Sequence, residues 1–61
     1  MNRLKEVRTQ QGLSLRTLAV EAGIHYTTLV RIEAGRCDPK VSTMKRLAGV
    51  LNVEVGELLG E

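Results

Sequence analysis

Leu15-Arg16-Thr17-Leu18-Ala19-Val20-Glu21-Ala22-Gly23-Ile24-His25-Tyr26-Thr27-Thr28-Leu29-Val30-Arg31-Ile32-Glu33-Ala34 is the stretch that decides how this 61-residue chain folds. Ser14, just before it, is a good N-cap, because its side-chain oxygen can accept a first-turn N–H that has no partner within the helix. Leu18, Ala19 and Ala22 then recur at helical spacing, and Gly23 offers an exit into the left-handed conformation after about two turns. A second helical segment, from about Tyr26 to Ala34, carries Leu29 and Ile32 at i and i+3 and closes at Gly35. Ala19 falls where the two helices come closest, so a larger side chain there would force them apart. Ile24, Leu29 and Ile32 lock the second helix onto the first, which leaves the opposite face of the second free.

The same periodicity extends outward in both directions. Upstream, Leu4 and Val7 share one face of a helix of roughly residues 2–10, which Gly12 can end. Downstream, Gly35-Arg36-Cys37-Asp38-Pro39 reads as a polar, exposed loop, since proline biases the residue before it away from helix and Asp favours turns. Val41, Met44, Leu47, Ala48 and Leu51 follow the i, i+3, i+4, i+7 rule of an amphipathic helix with these residues inward, and Asn52 can take the left-handed exit. Val55, Leu58 and Leu59 indicate a last turn or two, weakened by Gly56 and ended by Gly60. No stretch alternates apolar and polar residues over a strand length. The expectation is an all-α, five-helix fold forming one domain over residues 1–61.

Composition narrows the function. A chain this short buries only about 60% of its unfolded surface and supports one core. With 43% hydrophobic and 26% charged residues it has the make-up of a folded globular domain. Its longest strictly apolar run, Leu18-Ala19-Val20, is far below the ~20 residues of a membrane span, and the basic start leads into no signal-peptide-like region, so a cytoplasmic protein is expected. One cysteine, Cys37, excludes an internal disulfide and reads as an incidental exposed thiol. Cys37 and the single His25 are too few for a zinc site, and no cofactor motif is present. An enzyme needs clustered titratable groups, which one His, one Cys and no paired carboxylates do not supply. The fold therefore stands on packing, and a core of this size supplies only ~3–5 kcal/mol, so self-association is expected to reinforce it. Residues 1–40 hold seven Arg or Lys against four acids, whereas residues 41–61 hold two against three. An anionic partner is accordingly expected on the first two thirds.

Two short helices joined by a tight glycine turn have the geometry of a helix-turn-helix. Gly12-Leu13-Ser14, Leu18-Ala19, Ala22-Gly23-Ile24, Thr28-Leu29, Arg31-Ile32-Glu33-Ala34-Gly35, Pro39 and Leu47-Ala48 carry the pattern further. In order and spacing, over nearly the whole chain, they resemble the Cro/C1-type helix-turn-helix family, the phage lambda repressor-like DNA-binding domains. The tail from Leu51 to Leu59 also looks like that family's ending.

The resemblance implies a sequence-specific, double-stranded-DNA-binding transcriptional regulator, most simply a repressor that occludes a near-palindromic operator as a homodimer. The helix of about residues 26–34 would enter the major groove while the preceding one lies across the backbone. His25, Tyr26, Thr27 and Arg31 match the family's base-facing positions. Arg31 can donate a bidentate pair to guanine O6 and N7, and Thr27 can hydrogen-bond a base or touch a thymine methyl. Lys40 matches a position where a basic residue stands beside the backbone or minor groove, and Arg16, Arg36 and Ser14 are further candidates for phosphate contact. Arg8 and Glu33 match a structural ion pair of the family. Lys40 at a helix N-terminus opposes the macrodipole, and a nearby phosphate would offset that conflict.

Blander roles stand beside these. Tyr26 could simply lie against the preceding helix, His25 could be no more than a helix-start residue, and loop cations such as Arg36 and Lys40 are ordinary on any surface. Leu15 stands where the family places a phosphate-binding Gln, so an interaction module of the antitoxin type, holding a protein partner through exposed apolar residues, is the alternative. Val53, Val55, Leu58 and Leu59 are expected to lie at least partly in the core and, on the reasoning that a chain ending at Glu61 has no further domain to cover the surplus apolar surface, to form the two-fold interface of a homodimer.

Overall fold

A computed structural model describes residues 2–60. The described residues hold five helices and no strand, in the order α1 Leu4–Gln10, α2 Leu15–Ala22, α3 Tyr26–Glu33, α4 Val41–Leu51 and α5 Val55–Leu59. Every helix sends at least one aliphatic side chain to a common centre: Leu4, Leu18, Leu29, Ile32, Leu47, Leu51 and Leu58 are fully buried. Ala19 and Ala22 are buried too, and α2 packs against both α3 and α4, so small residues sit where α2 meets its neighbours. No helix of the described residues is long and apolar enough to cross a membrane.

Turn chemistry sets the angles between helices. At the end of α2, Gly23 adopts φ +66°, its N–H reaches Val20 O at 3.2 Å, and Ile24 N–H reaches Ala19 O at 2.9 Å. This is the Schellman closure, which satisfies two terminal carbonyls and turns the chain sharply. The same pair of bonds closes α1 after Gln10, α3 before Arg36 and α4 before Val53. In the last of these Asn52 holds the left-handed conformation at φ 57°. A Cβ on Gly23 would find room, its nearest neighbour being an Arg46 guanidinium nitrogen at 3.6 Å, so the cost of a side chain there lies in the backbone. Gly23→Ala is expected to lose about 1–2 kcal/mol in urea unfolding. A loss below about 0.5 kcal/mol would show that the turn re-forms without a positive φ.

The amino-terminal residues act as a clip. Asn2 Oδ1 accepts from Leu4 N–H at 3.0 Å, and Asn2 Nδ2 donates to Ile32 O at 3.0 Å. Arg3 N–H donates to Leu58 O at 2.8 Å. The start of α1 is thus tied to the ends of α3 and α5, and α1 begins at Leu4 where periodicity alone put it near residue 2. Gln11 Nε2 donates to Leu51 O at 2.7 Å, satisfying a carbonyl at the end of α4.

Three expectations are corrected. Val41 continues the apolar stripe of α4 but is 69% exposed, because the first turn of that helix overhangs the core that Met44, Leu47, Ala48 and Leu51 fill. Cys37 is half-buried and packs against the core rather than standing free on the loop. Leu58 is fully buried inside the domain, so it cannot belong to an interface with a second copy; Val53 and Val55 are half-buried against the same core, and only Leu59 of that group is exposed.

Candidate nucleic-acid interface

α3 is anchored from behind by three side chains. Leu29 and Ile32 enter the core, and Glu33 is gripped by Arg8 of α1. Arg8 Nε donates to Glu33 Oε2 at 2.7 Å, Nη2 donates to Glu33 Oε1 at 3.1 Å, and Nη1 donates to Leu13 O at 2.7 Å. The two side chains are only 10% and 5% exposed. A bidentate pair of this kind is directional as well as strong, and hydrogen bonding to Glu33 holds the Arg8 guanidinium above its ordinary pKa. The only acid of α3 is therefore matched by a partner from α1, and the pair fixes the rotation of α3 about its own axis.

With that rotation fixed, helical spacing sends Tyr26, Thr27, Val30 and Arg31 outward, all exposed. Together with Ala34 and Arg36 they line one open depression. A second depression, between α1, α2 and α3, is lined by Lys5, Arg8, Leu15, Val30, Glu33 and Ala34. Val30 and Ala34 border both.

The eight expected contact residues fall into two sets. Tyr26, Thr27, Arg31 and Arg36 share the first depression, and Arg16 joins them because its guanidinium carbon stands 5.1 Å from the Tyr26 ring centroid, a cation–π distance. Tyr26 thus does touch α2 as the blander reading required, yet it remains 45% exposed. His25, Ser14 and Lys40 do not line that depression. His25 is the exposed N-cap of α3 and Lys40 the exposed N-cap of α4, neither with a side-chain capping bond. Ser14 caps α2: its Oγ accepts from Thr17 N–H at 3.0 Å and donates to Thr17 Oγ1 at 2.8 Å. Its hydroxyl would have to leave Thr17 to reach a phosphate.

Leu15 is half-buried and packs against the core. Sequence reasoning passed over Val30, which is 41% exposed in the middle of the outward face. Its signal was present in the spacing, since a helix with Leu29 and Ile32 inside must turn the two residues between them, Val30 and Arg31, toward solvent.

A family model described as helix-turn-helix matches residues 4–58. The chain is 36% identical over 59 residues to the HTH-type transcriptional regulator PuuR of Escherichia coli (strain K12), covering 97% of this chain and 32% of that protein. It is 34% identical over 59 residues to the immunity repressor protein of Bacillus phage phi105, covering 97% of this chain and 41% of that one. The chain thus spans less than half the length of either regulator. Among solved structures, the N-terminal DNA binding domain of SinR from Bacillus subtilis superposes with a TM-score of 0.89 at 35% identity, covering 97% of this chain and 87% of that one.

Proposed function

This chain belongs to the Cro/C1-type helix-turn-helix family, and from that premise we propose that it is a sequence-specific DNA-binding transcriptional regulator of the cytoplasm, with residues 1–61 as its DNA-binding domain. The observation that carries the proposal is the outward face of α3, where Tyr26, Thr27 and Arg31 are exposed while Leu29, Ile32 and the Arg8–Glu33 pair hold the other side in place. A helix so held can lie in a major groove at a fixed rotation, which a base-reading surface requires. Arg31 donates to guanine O6 and N7, and Thr27 and Tyr26 contact bases or sugar near the start of α3. Arg16, Arg36, Lys40 and, once its hydroxyl stops donating to Thr17 Oγ1, Ser14 contact phosphates, while His25 contributes at the helix start.

The regulator acts as a homodimer on a near-palindrome and represses by occupying the operator. Its two copies of α3 lie ~34 Å apart in successive major grooves. With Leu58 inside the core, Leu59 is the exposed large apolar residue with which α5 can meet a second copy. The alternative of a protein-binding module drew on Leu15, which is half-buried against the core and still lines the open second depression.

Selection from a random duplex library is the direct test. Enrichment of a near-palindrome with half-sites about 10 base pairs apart supports the proposal, and failure of the folded protein to enrich any sequence overturns it. On the selected operator, Arg31→Ala is expected to weaken binding by about 1–3 kcal/mol and to relax preference at one base pair per half-site, measured by fluorescence anisotropy. Lys40→Ala should instead weaken all sequences alike and flatten the salt dependence, lowering the slope of log K against log salt by ~1.

A further inference from the structure

We propose that Val30 is a specificity-determining residue that reads the 5-methyl group of a thymine beside the guanine contacted by Arg31. The inference rests on the regulator reading above and adds a base identity to it. Val30 is 41% exposed, and it borders both depressions flanking the ridge of α3. Tyr26 and Ala34 stand one helical turn away on either side of it, and Arg31 follows it directly. Its side chain has neither donor nor acceptor, so the only feature of a major-groove base edge it can favour is an apolar one. Thymine is the standard base that presents such a group.

The rest of the helix restricts the choice further. Val30 plays no part in the core, which takes Leu29 and Ile32 from this helix. As a β-branched residue in a helix it is held near one χ1 rotamer, so little side-chain freedom is lost when it meets a base. A helix rises ~1.5 Å per residue, and base pairs of B-DNA are spaced ~3.4 Å apart. Val30 and Arg31 therefore address the same base-pair step or adjacent ones. The half-site is expected to carry thymine within one step of its essential guanine.

The test uses the whole protein and the operator selected by it. Each thymine of that operator is replaced in turn by deoxyuridine, which removes only the methyl group. One replacement per half-site, next to the guanine whose contribution disappears in Arg31→Ala, is expected to weaken binding about fourfold, the equivalent of ~0.8 kcal/mol for one buried methyl. In Val30→Ala the same replacement should have no effect, and 5-methylcytosine at that position should recover binding over cytosine only for the wild-type protein. Because Val30 lies outside the core, the thermal midpoint of Val30→Ala reports whether the fold is intact. An operator whose thymines all tolerate deoxyuridine, or a methyl effect that survives in Val30→Ala, overturns the assignment and leaves the regulator reading standing. Failure to select any operator overturns both.

Discussion

Methionine in place of Arg8 is expected to leave the chain largely unfolded at 25 °C. The substitution keeps most of the apolar stem and removes the guanidinium, which strands the carboxylate of Glu33, only 5% exposed, without its bidentate partner and leaves Leu13 O without its donor. Breaking a buried pair by removing one member costs about 3–5 kcal/mol. That loss is as large as the ~3–5 kcal/mol a core of this size supplies. The double variant Arg8→Met/Glu33→Leu removes both charges and should regain most of the stability, because replacing a buried ion pair by apolar groups of similar volume is often neutral or better. Circular dichroism melts of the wild type, the single and the double variant check this. A single variant that melts within a few degrees of the wild type would show that the pair does not hold α3.

Leu58→Ala should be nearly as damaging, and it decides between two roles for the same residue. Read as part of a dimer contact, Leu58 could be trimmed at little cost to the folded subunit. Placed as the structure has it, Leu58 is fully buried, its carbonyl accepts from Arg3 N–H, and α5 bridges α1 and α4. Truncating a leucine in such a site costs about 2.7–5.0 kcal/mol. The expected result is loss of cooperative unfolding in urea at any protein concentration. Leu59→Ala, at a residue 46% exposed, should leave unfolding unchanged at low concentration and shift only the sedimentation behaviour. If Leu58→Ala changed association but not stability, the core assignment would be wrong.

What could be read from the sequence is what local chemistry determines. The turn at Gly23 and the left-handed Asn52 follow from the residues themselves, and the inward positions Leu18, Leu29, Ile32, Leu47 and Leu51 follow from period alone. The resemblance added the Arg8–Glu33 pair, whose members lie 25 positions apart and share no period. Asn2, bonded to a carbonyl 30 residues away, left no comparable trace, since a side-chain bond to a distant backbone oxygen has no spacing rule. The exposure of Val41 and the complete burial of Leu58 escaped the sequence for one reason. Periodicity gives the direction in which a side chain points and is silent on whether anything lies there, and at helix ends and in a five-residue helix that second question decides burial. At the site, the cations were legible as charges. The stacking of Arg16 on Tyr26 and the exposure of Val30 depend on how α2 and α3 cross.

Tyr26 is the only aromatic side chain in the chain, and it stands on the outward face of α3 rather than in the all-aliphatic centre. The protein therefore carries a natural optical probe at the place where its ligand would arrive. Quenching or enhancement of tyrosine emission on titration with duplex DNA would follow occupancy of that face without any label. The same property makes tyrosine emission a poor gauge of the interior, whose melting is better followed through the helical backbone in the far ultraviolet.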